Sequence, residues 1–489
     1  MSPACRHNGP VDRSKLTHDD RSITGADFLQ LNLTDAPPGR LSDWLTRRLR
    51  SAIADGRLAV GARLPATRVL AEELRVSRGV VTEAYQRLTE EGHVSGRGRA
   101  GTIVVAAPVA LPEPVPPAPL TSFPVDFESF REVSAPIDLS PGVPDLAAFP
   151  RSAWLRAERT VLDGLSPSDF GYGDPCGAPV FRRAVARWLA RYRGVSVDPD
   201  EVIIVSGVAQ ALVLLARILP PQGISTIAVE DPGSLGAREQ LRKWGMRTPP
   251  VSVDEGGLRT GELRDSGAPA VLLTPAHQFP TGVVLDGARR RELMRWAGDG
   301  GLVIEDDYDA EHRYDRPPVP ALRSMLAEHV CYAGSVSKLL APALRVGWLI
   351  VPRKYRAAAV AAKREADLGS SVLPQLVLAD LMESGELERQ LRLLRRRHRR
   401  RRDVLIAALR EHLPDARVHG AAAGLHLMVT FDGKFADVEV AAAALAHGVK
   451  VQPLSWHRQR PGPPGLVLGY AASAPGDLER GVAALASVL

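Results

Sequence analysis

The sequence predicts a multidomain chain, a small N-terminal α+β unit followed by a larger α/β unit. Three observations lead there. At 489 residues the chain exceeds one small core, since domains run to roughly 100–200 residues each. The stretch "APVALPEPVPPAPLTSFP", residues 107–124, sets prolines every two or three positions and reads as an extended, semi-rigid spacer. Short helices precede that spacer, and apolar strand-like runs alternate with helical ones after it, the pattern of an α/β sheet. The resulting division is an N-terminal extension over 1–39, a small domain over 40–106, a linker over 107–136 and a large domain over 137–489.

With 45% hydrophobic and 24% charged residues the composition is that of an ordinary globular chain, which excludes the disordered class. A net charge of +6 and an isoelectric point of about 9.4 allow an acidic partner such as nucleic acid without requiring one. Cys5, Cys176 and Cys331 are far apart, without metal-ligand spacing or an even-numbered framework, so a reducing compartment, the cytoplasm, is expected and no metal site. The first twenty residues lack the apolar stretch of a secretory leader. No run of about 18 apolar residues offers a membrane span.

The elements of the small domain follow in order. In "LSDWLTRRLRSAIADG" the residues Leu41, Leu45, Leu49 and Ile53 recur every four positions and form one helix face, with Gly56 as the stop. A second helix follows Pro65 within "ATRVLAEELR". A third opens at the N-cap residue Ser77 and runs through "RGVVTEAYQRLTEEG", placing Val81, Tyr85 and Leu88 on one stripe and Arg78, Thr82, Glu83 and Gln86 on the other. "RVSR" is the tight joint between them. After Gly92, "HVSGRGRAGTIVV" gives two short strands around a turn bearing Arg97 and Arg99, a wing tipped with positive charge. Such a unit lays its third helix in a major groove while the wing meets phosphates or the minor groove; a helical dimerisation hairpin with a solvated basic loop is the plainer alternative.

Three strand ends organise the large domain. "VIIVSGVAQALVLLARIL" is a strand over 202–205, a turn at Ser206-Gly207, and a helix whose first amides form an anion site. "LVIEDDYDAEHRY" is a buried strand, 302–304, delivering carboxylates and Tyr308 to a strand's C-terminal edge, where α/β folds place ligands. "VCYAGSVSK" is a strand, a polar turn and then Lys338. An amine to condense with an aldehyde, a carboxylate to keep a pyridine nitrogen protonated and donors for a phosphate are the parts that hold pyridoxal 5'-phosphate (PLP). Polar groups merely satisfied at strand ends are the alternative.

The string "LPATRVLAEELRVSRGVVTEAYQRLTEEGHVSGRGRAGTIVV" resembles the winged-helix domain of GntR-type bacterial regulators over residues 40–106. That resemblance implies that Arg68, Ser77, Arg78, Gly79, Thr82, Arg97, Arg99 and Gly101 face double-stranded DNA. "YGDPCG", "VSGVAQAL", "EDPG", "TPAHQFPTG", "EDDYD" and "GSVSKLLAPALRVGWL" resemble fold type I aminotransferases over 137–489, which implies an α/β PLP-dependent transferase fold with large and small subdomains. Together the halves resemble the MocR/GabR group of bacterial regulators, in which an aminotransferase-like domain serves as effector sensor. The resemblance implies Lys338 as the PLP-bearing residue, Asp306 at the pyridine nitrogen and Tyr308 at the ring hydroxyl. It sets Ser335, Ser337, Arg345 and the amides at Gly207, Val208 and Ala209 around the phosphate, with His277 and Gln278 as further cofactor-binding candidates. Tyr172 matches the tyrosine that reaches the phosphate of the neighbouring subunit, so a homodimer is implied.

The departures bear on activity. Ser234 stands where related regulators carry a ring-stacking aromatic, Phe279 where aminotransferases carry an asparagine, and Val467 where many carry the arginine that fixes a substrate carboxylate. An apolar residue does not replace a bidentate arginine grip; Arg458 or Arg460 are the candidate substitutes. The expectation is a PLP-dependent DNA-binding regulator, not an enzyme, that senses PLP or a small amine or amino acid. An active aminotransferase fused to a DNA-binding head, and a binding protein whose cavity has lost PLP, are the rivals. The run "RQLRLLRRRHRRRRDVL", residues 389–405, reads as a solvated helix face with an apolar edge, or as a source of sequence-independent DNA contacts.

Overall fold

The computed structural model describes residues 36–37, 40–96, 98, 101–106, 127–314, 319–433 and 435–489. The chain divides into two compact units, Met1–Ser122 and Phe123–Leu489.

The first unit is built from α1 (Leu41–Ala54), β1 (Arg63–Leu64), α2 (Thr67–Glu73), α3 (Arg78–Glu90), β2 (Val94–Gly96) and β3 (Thr102–Val104). Leu45, Leu49 and Ile53 of α1 close on Leu70 of α2 and on Val81, Tyr85 and Leu88 of α3. Each such side chain contributes roughly 1.5–3 kcal/mol on burial. The Tyr85 hydroxyl donates to the Pro65 carbonyl at 2.9 Å, so this buried ring keeps its polar atom satisfied. Ser77 caps α3 by accepting from the Val80 amide at 3.4 Å. The three strands form an antiparallel sheet in the order β1-β3-β2, with β2 and β3 as the wing. This is the winged helix-turn-helix that the periodicity predicts.

The second unit begins inside the stretch read as linker. There α4 (Phe127–Glu132) buries Phe130 against Trp456, ring centroids 5.1 Å apart, and β4 (Ile137–Asp138) follows. An eight-stranded sheet comes next: β5 (Ile203–Val205), β6 (Ile227–Asp231), β7 (Pro250–Asp254), β8 (Gly257–Leu258), β9 (Ala270–Leu273), β10 (Leu302–Asp307), β11 (Val330–Ser335) and β12 (Gly347–Ile350), in the order β5-β12-β11-β10-β9-β6-β7-β8. Neighbours from β11 through β7 run parallel, and β12 is antiparallel to both its partners. Strands buried on both faces read as unbroken apolar runs, which is why they stand out in the sequence.

The helices are α5 (Arg151–Gly164), α6 (Pro179–Arg193), α7 (Val208–Ile218), α8 (Leu235–Lys243), α9 (Thr260–Asp265), α10 (Gly287–Gly298), α11 (Arg353–Asp367) and α12 (Val372–Glu383). Alternate strand residues feed two cores. Ile304, Ala333 and Leu349 pack with α7 and α11; Ile204, Tyr332 and Trp348 pack with α6 and α12. A smaller lobe follows, made of α13 (Glu386–His412), β13 (Arg417–His419), β14 (His426–Thr430), α14 (Asp437–Ala446), β15 (Val449–Lys450), β16 (Gln452–Pro453), β17 (Gly465–Gly469) and α15 (Pro475–Ala486). Its sheet runs β13-β14-β17-β16, while β15 pairs in parallel with β4 and ties the start of this unit to its end. Among the described residues no helix is long and apolar enough to cross a membrane.

Candidate functional site

Alternation along β10 decides where its carboxylates point. Glu305 accepts from the Leu322 and Arg323 amides at 2.9 and 3.0 Å. Asp307 pairs with buried Arg193 at 2.5 and 3.3 Å. With those two anchored, the strand continues to Asp307 rather than stopping at Ile304 as its apolar run alone implies. Asp306 lies between them, its Oδ1 sealed from solvent and without a hydrogen-bond partner.

Lys338 follows the end of β11, and its Nζ donates to the carbonyl of Gly142. Lys338, Asp306, Tyr308, Ser234, Thr274 and Phe279 share a cavity of about 240 Å³ with Phe127, Gln452 and His457. Burial pushes the Asp306 carboxyl up to about 7, Asp307 and Asp309 add to this, and Lys338 opposes it. The same burial holds the Lys338 amine below the ordinary lysine value, against the pull of Asp309 and Asp306.

A third strand end opens onto a helix N-terminus. β5 passes into α7 through Gly207 at φ 93°, a conformation that glycine adopts without strain, and the first amides of α7 lack intrahelical partners. Arg345, at φ 51°, donates to the Ser206 carbonyl. A Cβ on Gly207 would stand 3.4 Å from the Arg345 guanidinium. Gly207 and Ser335 converge on Gly347, where an added Cβ would meet the Gly207 Cα at 3.0 Å and the Ser335 Cβ at 3.1 Å. This helix terminus therefore adjoins the end of β11, three residues before Lys338.

Residues 41–104 match the family "Bacterial regulatory proteins, gntR family", and residues 135–485 match "Aminotransferase class I and II". The probable rhizopine catabolism regulatory protein MocR of Rhizobium meliloti is 32% identical over 464 residues, covering 91% of this chain and 92% of that protein. The chain belongs to the MocR/GabR group of transcriptional regulators. The HTH-type pyridoxine biosynthesis transcriptional regulator PdxR of Corynebacterium glutamicum is 33% identical, with 91% and 95% coverage. Among solved structures, the multiple substrate aminotransferase of Thermococcus profundus aligns with a TM-score of 0.67 at 26% identity, over 74% of this chain and 93% of its own. The cofactor of such aminotransferase domains is PLP. An unpartnered buried carboxyl, a lysine held below its ordinary pKa and a helix N-terminus fit it.

In this MocR/GabR-type regulator the predicted residues fall into three sets. Lys338, Asp306 and Tyr308 line the cavity. Gly207, Val208, Ala209, Ser335, Ser337 and Arg345 gather at the neighbouring helix terminus, where the Ser335 Oγ accepts from the Ser337 amide at 3.3 Å. His277 and Gln278 stand behind the wall. The His277 Nδ1 lies 2.8 Å from Asp309 and 3.1 Å from the Tyr308 hydroxyl. Gln278 is consumed by its own turn: its Oε1 accepts from the Thr281 amide and hydroxyl at 3.0 and 2.6 Å, and its Nε2 donates to the Pro232 and Phe279 carbonyls at 2.9 and 2.6 Å. Tyr172 is 94% exposed and does not line this cavity.

The regulator's departures resolve as well. Ser234 caps α8, accepting from the Ala237 amide at 3.3 Å, and lines the cavity without a ring to stack. Val467 is buried with Met428 and Leu454. Arg460 bonds Ser252 and Glu262 at 3.0 and 3.1 Å, and Arg458 donates to the Pro463 carbonyl at 2.5 Å. Neither arginine lines the cavity. On the head, Arg68, Arg78, Gly79 and Thr82 are exposed on one side of α2 and α3. The Ser77 hydroxyl is engaged in capping, and Gly101 turns the wing at φ 81°. Arg97 and Arg99 lie outside the described residues. Sequence reasoning missed Phe127, hidden in a proline-rich context, and the Glu230 carboxylate, which accepts from the Thr274 amide and hydroxyl at 3.0 and 2.8 Å.

Proposed function

We propose that α3 and the wing bind duplex DNA and that occupancy of the Lys338 cavity, by PLP or by an amine reacting there, changes the DNA affinity. The composition of the cavity wall carries this reading. It includes Lys338 and Asp306 but, among the described residues, no arginine, so it suits retention of the cofactor better than turnover of amino acids. PLP, when bound, supplies an aldehyde and an electron-withdrawing pyridine. In this reading Lys338 presents the amine, Asp306 holds the proton at the pyridine nitrogen, and Tyr308 orients the ring hydroxyl. The corner of Val208, Ala209, Ser335, Ser337 and Arg345 takes the phosphate. The exposure of Tyr172, Phe170 and Leu368, at 94%, 61% and 56%, supports a homodimer in which Tyr172 serves the neighbouring subunit. One relative's name refers to pyridoxine biosynthesis, which supports vitamin B6 or amino-compound genes as targets. Shifting a two-state regulator from 1:99 to 99:1 takes about 5.5 kcal/mol of differential affinity, a demand that a reversible covalent bond to Lys338 meets.

The test is a PLP titration followed by visible absorbance, in the wild type and in Lys338→Ala, repeated with DNA-binding assays. A saturable band and a DNA response that both need Lys338 support the proposal. A DNA response unchanged in Lys338→Ala refutes covalent sensing, and sustained amino-group transfer beyond one equivalent favours the fused enzyme.

A further inference from the structure

Helix α13 carries nine arginines from Arg389 to Arg402, and the fold sorts them into two groups. Five are committed. Arg389 bonds Glu386 at 2.6 Å, Arg395 the Glu311 carbonyl at 2.6 Å, Arg397 and Arg401 the buried Asp145 at 2.8 and 2.9 Å, and Arg402 its neighbour Asp403 at 2.7 Å. The other four, Arg392, Arg396, Arg399 and Arg400, are exposed. Among the described residues none of these four has a carboxylate within 4.0 Å.

At 3.6 residues per turn these four fan over about 100° of the helix and span about 12 Å of its axis. They stand opposite the face that buries Leu387, Leu391, Leu394, His398 and Leu405. Arg392 and Arg396, and Arg396 and Arg400, are like charges one turn apart, an arrangement that weakens a helix in isolation. Asp403, on the same arc one turn beyond Arg399, is paired with Arg402 at 2.7 Å; from 392 to 400 the arc carries charge of one sign, whereas a face kept only for solubility is ordinarily mixed. A row of guanidiniums matches phosphate oxygens in geometry as well as charge. A membrane-surface helix would need an exposed apolar face, and the apolar face of α13 is spent on the core.

We propose that this face of α13 is a second, sequence-independent contact for the phosphate backbone of duplex DNA. It rests on the reading that the head binds duplex DNA. The test uses the full chain and a random-sequence duplex several helical turns long, with affinity followed by fluorescence anisotropy between about 50 and 200 mM salt. Replacing Arg392, Arg396, Arg399 and Arg400 by Gln should flatten the plot of log affinity against log salt by about 0.9 for each phosphate no longer neutralised, up to about 3–4 in all. The two paired variants, Arg392→Gln with Arg396→Gln and Arg399→Gln with Arg400→Gln, should each give about half of that change, and the circular dichroism should match the wild type. A slope equal to that of the wild type in a folded variant overturns the inference. Arg78→Ala on a duplex that carries the operator separates the two readings: if it leaves operator affinity unchanged, the assignment of the head fails, whatever the slope on random-sequence duplex. Phosphatidylserine vesicles that bind the wild type but not the fourfold variant, with the DNA slope unchanged, would assign the face to lipid and also overturn the inference.

Discussion

The guanidinium of Arg345 donates to the carbonyl of Ser206 and stands over Gly207, where the chain enters α7. Gly207→Ala would add a methyl group in the space over the helix terminus and force an L-residue to φ 93°, at a cost of about 1–3 kcal/mol. PLP affinity should fall at least tenfold in a spectral titration, with most of the decrease arising at the phosphate. Pyridoxal, which lacks the phosphate, should show a much smaller difference between variant and wild type.

Asp306 gives a pH signature. Its folded pKa is raised to about 7 from 3.8, so between these values the folded protein holds a proton that the unfolded chain has released. Ligand-free protein therefore loses stability as pH rises through that window. Asp306→Asn removes the penalty, and relative to the wild type it should gain on the order of 2 kcal/mol between about pH 5 and pH 8. Denaturant melts of PLP-free protein measure this. A difference that stays flat with pH would contradict the assignment. The same variant should bind PLP more weakly, because its amide cannot carry the charge that holds the pyridine proton.

Gln278 separates architecture from ligand binding. Its four hydrogen bonds are made to the turn and to the Pro232 carbonyl, so Gln278→Ala should cost about 2–3 kcal/mol of stability by leaving buried groups unpaired. The PLP dissociation constant should change by less than about twofold, less than the tenfold that 1.4 kcal/mol confers. A large affinity change without destabilisation would return Gln278 to the cofactor.

Arg193 and Asp307 form a buried pair beneath the site. Arg193→Met should destabilise the protein by about 3–5 kcal/mol, because the carboxylate is left buried without its partner. Arg193→Met combined with Asp307→Asn should recover part of that loss. Thermal unfolding of the two variants checks the order.

Arg78→Ala and Thr82→Ala should weaken operator binding by about 1–3 kcal/mol for a base contact. Because both side chains are exposed, their thermal midpoints should match the wild type. Gel-shift titrations against specific and random duplexes distinguish base from phosphate contacts.

The parts of the site legible in the sequence are those that local pattern controls. Buried strands announce themselves as apolar runs, and the residues at or just beyond the ends of those runs, Gly207, Asp306 and Lys338 among these, are delivered to one edge of the sheet. Adjacent sequence cannot state which partner a buried group takes across the fold. Arg193 meets Asp307 across 114 residues and Lys338 meets Gly142 across 196, and nothing near either residue encodes the match. Gln278 illustrates the converse: its position in a recognisable motif suggests the cofactor, but the unsatisfied groups of its own turn claim it. Arg458 and Arg460 are reasonable substitutes by proximity in sequence, and nearby carbonyl and carboxylate acceptors engage them instead.

Phe127 forms part of the cavity wall only a few residues after the proline-rich stretch ends. Among the described residues Phe127 is the first in the chain to reach that wall, well before the strands that deliver Asp306 and Lys338. A substitution at this one aromatic residue therefore changes the shape of the chamber while leaving its amine and its carboxyl in place.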